Sequence, residues 1–375
     1  MDPLNPALRG VLVATLMLLV GVPPTFRLVV FPALERRGID TTRANDTVLT
    51  VVGTALIGAA FTATAIAIGD VRPTDPGSFA AWASTTQPGM AWTGLVAVAS
   101  MLGALTVTRY LRPRSVPRDH WLAAATVGAL AMLVAFCATR YSVAIESSAV
   151  ALIVKVGHMT GAGLWVGGLV VLAALPTLLP RSLDADDEPA RVALAVVRRF
   201  SVVAVAGVTV AFATGVVIAA WHVPTPTALA TTPYGLLLSA KVGLVLIAAA
   251  IGGFNRLIVH ERIDRSVRET TDRTVLPGLL TIADPIVATD AVPTITRSVR
   301  VELAILLVAT ALSVVLTTAM TPSYELLGPT VAASGGVFGG VLLGFANLLK
   351  LGAVGIALTG SLALGYEVGK LGTAR

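Results

Sequence analysis

Residues 155–168 read KVGHMTGAGLWVGG. A lysine, a histidine and a tryptophan stand in an apolar run with five glycines. What surrounds that run decides the fold. The chain has 375 residues, 55% hydrophobic and 13% charged, with a mean hydropathy of +0.84. Soluble globular domains carry about 25% charged residues, and a water-soluble core of this size needs that polar cover. Here lipid must supply it, so the sequence predicts an all-α polytopic bundle crossing a lipid bilayer.

Runs of about 20 apolar residues span a bilayer. Eight qualify, over residues 8–31, 47–69, 89–109, 120–138, 149–173, 200–221, 235–255 and 301–320. A ninth, glycine-rich and broken by Lys350, covers 335–366. The first run lacks a small-residue cleavage site and is read as a membrane helix rather than a signal peptide. Pro23 and Pro24 predict a kink in it. Three segments are expected: four membrane helices over 1–140, a four-helix core over 141–322 containing a cytoplasmic amphipathic linker at 256–299, and a C-terminal segment over 323–375.

Arginines orient the bundle. Eighteen fall on the odd-numbered connections, seven of them between 256 and 300, whereas only Arg9, Arg72 and Arg140 fall on the opposite side. Positive charge is retained in the cytoplasm, which puts the N-terminus outside and the chain in the cytoplasmic membrane as a multi-pass protein. The formal charge of +6 is thereby explained without nucleic acid, and no basic patch interleaved with aromatics is present. The stretch GYEVGK at 365–370 lacks the spacing and the hydroxyl of a phosphate-binding loop, so no ATP-driven motor is expected. No nucleophilic triad or paired acidic dyad stands at membrane depth, so the protein is not read as an enzyme. Cys137 is the single cysteine, which rules out a disulfide within the chain.

Ionisable side chains at bilayer depth cost about 2.5–3.5 kcal/mol and mark function by default. The candidates are Arg27, Lys155, His158, Lys241 and Glu302. Arg27 can snorkel to the inner interface, and Glu302, just inside the cytoplasmic end of the eighth run, is expected to pair with an arginine. On the fifth run Lys155, His158, Ala162 and Trp165 share a face. His158 lies roughly 6–14 Å below the outer start of that run, together with Lys155. Gly157/Gly161 and Gly163/Gly167 form small-xxx-small steps that let neighbouring helices approach closely. On the seventh run Tyr234, Lys241, Ala248 and Asn255 recur every seventh position. His158, Met159, His222, Met320 and Tyr324 are all expected near one outer face. Imidazole and thioether suit soft copper(I), so His158, Met159, His222 and Met320 form the candidate metal set. The plainer alternatives are a packing histidine, core-filling methionines and a rim histidine beside Trp221 in an aromatic belt.

Four stretches together resemble the copper resistance protein D family. They are KVGHMTGAGLWVGGLVVL (155–172), RFSVVAVAGVTVAFATGVVIA (199–219), TPYGLLLSAKVGLVLIAAAIGGFNRL (232–257) and RSVRVELAILLVATALSVVLTTAMTP (297–322), in the family's order over roughly 150–322. The resemblance implies a copper-handling membrane protein that imports the metal, with a small extracytoplasmic copper-binding protein as donor. It points to His158, Trp165, Gly167, Gly168, Phe200, Thr214, Gly215, Tyr234, Gly235, Lys241, Asn255, Arg256 and Glu302. Lys155 and Lys241 sit awkwardly on a cation path. Either one is uncharged within the bundle, or the lysines hold an anion such as a carboxylate. That keeps two other expectations open: a membrane factor delivering copper to a respiratory oxidase, and a transporter of an anionic or metal-chelate substrate.

Overall fold

A computed structural model describes residues 4–139, 149–179, 188–223, 225–256 and 288–316. Eight helices there are long and apolar enough to cross a membrane. They are α1 (Leu4–Thr25, prolonged through Phe31–Glu35), α2 (Thr42–Val71), α3 (Gln87–Leu111), α4 (Arg118–Ala138), α5 (Ala149–Ala173), α6 (Glu188–His222), α7 (Pro233–Phe254) and α8 (Ala288–Leu316). No strand occurs among the described residues. The ninth run, 335–366, lies outside them.

Two helices begin earlier than the apolar runs suggest. α6 starts at Glu188 rather than 200, and α8 at Ala288 rather than 301. The first turns of both are polar and fail an apolar-length criterion, yet they continue the backbone hydrogen-bond ladder of the helix that follows. The linker expected over 256–299 therefore gives its last twelve residues to α8. Pro23 and Pro24 do not break α1. Their missing N–H groups are followed by a wider π turn over Phe26–Val30, and the Thr25 hydroxyl donates to the Gly21 carbonyl at 2.7 Å.

α1 packs on α2, α2 on α3, α3 on α4, and α4 returns to α1, so the first four helices close a ring. Polar ties fasten its two ends. At one end Arg9 bridges to Asp70 at 2.6 Å. At the other end Arg109 of α3, 7% exposed, donates to the Asn45 side-chain oxygen of α2 at 2.8 Å and to the carbonyl of Val116, with its guanidinium over the Trp121 ring. Arg118 bridges to Glu35 at 2.6 Å and stacks over Phe31, 4.0 Å from the ring centroid. Arginines thus tie these helices together at both ends.

α5 is the hub. It packs on α1, α4, α6 and α8, whereas α7 leans chiefly on α8. One apolar core runs from Leu16, Phe26 and Trp121 across Leu169 and Leu172 of α5 to Val299 and Leu306 of α8. Around the perimeter Ile57, Phe61, Met101 and Val127 are two-thirds or more exposed, as lipid-facing side chains must be. Phe79, Trp82 and Trp92 cluster with ring centroids 5.2–5.9 Å apart at the N-terminal end of α3, where an aromatic belt belongs.

The glycines of the opening stretch explain the hub. A methyl group on Gly161 would overlap the carbonyl oxygen of Gly207 in α6. One on Gly167 would come within 2.8 Å of the Gly21 Cα in α1. On Gly168 it would collide with the Phe200 ring. α5 therefore meets α1 and α6 backbone to backbone, a separation only glycine permits.

Candidate functional site

The close approach of α5 to α6 brings His158 onto the next helix. Its Nδ1 lies 2.7 Å from the Ala211 carbonyl oxygen. A carbonyl only accepts, so Nδ1 carries the proton, and in the uncharged ring the lone pair lies at Nε2. The hydroxyl of Thr214 lies 3.4 Å from the same Nδ1 and donates to the carbonyl of Val210. Gly215 leaves room for the ring, since a Cβ there would stand 3.0 Å from the His158 Cε1. The family-like Thr-Gly pair and the histidine thus form one unit.

Lys241 of α7 lies about 12 Å along its helix from Pro233. It is half-buried. It has no hydrogen-bond or ion-pair partner among the described residues. Lys155 is half-buried one turn above His158.

The rest of the candidate metal set is dispersed. Met159, one residue on from His158, turns toward α4, where the Cys137 thiol lies 3.9 Å from its sulfur. His222 donates from Nδ1 to the Ile218 carbonyl at 2.8 Å and stacks on Tyr234, with ring centroids 6.1 Å apart and planes 15° from parallel. His158 engages α6 at Ala211 and Gly215, and His222 stands seven to eleven residues further along that helix. That is about 10–16 Å at 1.5 Å per residue, too far for both rings to bind one ion. Met320 and Tyr324 lie outside the described residues.

A second polar layer lies deeper. The Trp165 indole N–H donates to Glu302 Oε1 at 2.8 Å, and Glu302 is 3% exposed. Its partner is this indole rather than the expected arginine. Because α8 begins at Ala288, Glu302 is almost four turns into the helix instead of at its mouth. Gly252 of α7 supplies the space, since a Cβ there would sit 3.1 Å from the carboxylate. One turn earlier on α8 the Ser298 hydroxyl donates to the Asn255 side-chain oxygen at 2.7 Å. Ser298 and Gly252 were missed by motif reading. Ser298 precedes Glu302 by four residues and shares its face, a signal visible once the helix is known to begin early.

Comparison with known proteins adds a family likeness over part of the chain. The model described as copper resistance protein D matches residues 194–316, which carry Phe200, Thr214, Lys241, Asn255 and Glu302; His158 and Trp165 lie before that match. The resemblance carried by the motifs is thereby shown over α6, α7 and α8. A protein named copper transport protein CutJ, from Bacillus subtilis (strain 168), is 26% identical over 200 residues. The match takes in 50% of this chain and 36% of that protein, so the chain spans little more than a third of its length. No solved structure matches.

Proposed function

We propose that this protein carries copper(I) inward across the cytoplasmic membrane, with His158 as the central ligand and His222 as an outer station. The observation that carries this reading is the bond from His158 Nδ1–H to the Ala211 carbonyl. It fixes the tautomer and aims Nε2, the arrangement by which proteins hold metal-binding imidazoles. An imidazole nitrogen is a suitable donor for copper. The copper-named family and relative support the choice of metal. Inward transport and a small extracytoplasmic copper-binding donor follow the resemblance to that family. Met159 is not put forward as a ligand of the same ion, because its sulfur faces Cys137 on the α4 side. The four-helix ring of α1–α4 serves as the wall against which α5 is held.

The test is copper accumulation in cells making equal amounts of the native chain or His158→Ala, with metal analysis of the purified proteins. Native protein should raise cellular copper and copurify with the metal, and the variant should do neither. Equal accumulation by both removes His158 as the ligand. Uptake into vesicles containing this protein alone separates transport from delivery to an oxidase, which needs no net flux.

A further inference from the structure

α4 and α5 bring two sulfurs together. The thiol of Cys137, in the last turn of α4, lies 3.9 Å from the thioether of Met159 on α5. Cys137 is 6% exposed and belongs to the core of the bundle, and Met159 packs against that core. Met159 follows His158 in the chain, so the pair stands at the level of the imidazole. His158 turns to α6 there, and Met159 turns to α4.

Thiolate and thioether are the soft ligands that select copper(I). The spacing suits them. With metal–sulfur bonds of about 2.3 Å, the zinc–thiolate length, two sulfurs lie about 4.6 Å apart when collinear with the metal and about 4.0 Å apart at an angle of 120°. The observed 3.9 Å matches the bent arrangement, which admits a third ligand. Charge separates this pair from His158. A neutral imidazole leaves copper(I) its full positive charge, which is costly among apolar helices. The thiolate is the form of cysteine that binds metal. As the copper–sulfur bond forms, the Cys137 thiol gives up its proton to solvent, copper stays in the same oxidation state, and the complex with Met159 carries no net charge.

We propose that Cys137 and Met159 form a second copper(I) site on the α4 flank of α5. The protein then holds two ions at one level, one on imidazole and one on sulfur. This rests on the copper reading given above.

The experiment titrates the purified full chain in detergent with copper(I) alone, without oxygen and against a coloured copper(I) chelator. X-ray absorption at the copper edge reads the neighbours of the bound metal. The chain has one cysteine, so a copper–thiolate bond has one possible source. Native protein should bind two copper ions and show a short copper–sulfur distance. His158→Ala should keep one ion, bound mainly by sulfur. Cys137→Ala should keep one ion and lose the thiolate signal. Met159→Leu, which conserves volume, should weaken the sulfur-bound ion several-fold while keeping the native melting temperature. The native spectrum decides the matter even where a variant fails to fold: copper without a sulfur neighbour overturns the inference. So does a Cys137→Ala protein that binds as much copper as the native one. Neither result touches His158, whose role is read from uptake. If His158→Ala keeps full uptake while native protein shows the thiolate signal, the role given to His158 has failed and the sulfur site stands.

Discussion

The indole of Trp165 and the carboxylate of Glu302 are bonded at 2.8 Å across 137 residues of sequence, joining the hub helix α5 to α8. Gly252 of α7 closes against the same carboxylate, so three helices meet at one buried hydrogen bond.

Removing the donor should therefore cost more than removing both partners. Trp165→Phe leaves a buried carboxylate unsatisfied, which costs about 1–3 kcal/mol or more. Adding Glu302→Leu removes the orphaned group and should recover part of that loss. Melting temperatures of the native protein, both single variants and the double variant in detergent form the cycle. Strictly additive losses would show that the two residues do not act as a pair.

The glycines of α5 should differ sharply from glycines elsewhere. Gly161→Val and Gly167→Val force side chains into the backbones of α6 and α1, and overpacking of this kind costs about 1–3 kcal/mol or more. Gly103 of α3 has nothing near its missing side chain, so Gly103→Ala should be neutral or should gain up to about 1 kcal/mol of helix propensity. Thermal melting and yield after membrane extraction check both. Similar behaviour of Gly103 and Gly161 variants would contradict the backbone contact.

The two outer histidines should be separable in transport. His222 stacks on Tyr234 at the rim, about 10–16 Å along α6 from the contacts of His158. His222→Ala should raise the copper concentration needed for half-maximal uptake and leave maximal uptake largely intact. His158→Ala should abolish uptake at every concentration. A copper titration in vesicles reads the difference. Equal loss of maximal uptake in the two variants would mean that both rings serve one ion after all.

Much of this architecture was legible in residue order. The apolar runs placed eight helices within a few residues of their cores. The small-residue steps named α5 as the central helix. The beginnings of α6 and α8 were not legible, because polar turns continue a helix on hydrogen bonds that hydropathy does not register. The candidate metal set was only partly legible. Met159 is next to His158 in sequence but a hundred degrees around the helix, so it meets Cys137 while His158 meets Ala211.

The sequence by itself determined the solvent of this protein and its helices, because hydropathy acts locally along the chain. Only the tertiary structure decided which polar groups meet: His158 with the Ala211 carbonyl, Ser298 with Asn255, and Trp165 with Glu302. Those pairings depend on how closely and at what rotation the helices pack, and glycine backbones touching across α1, α5 and α6 set both.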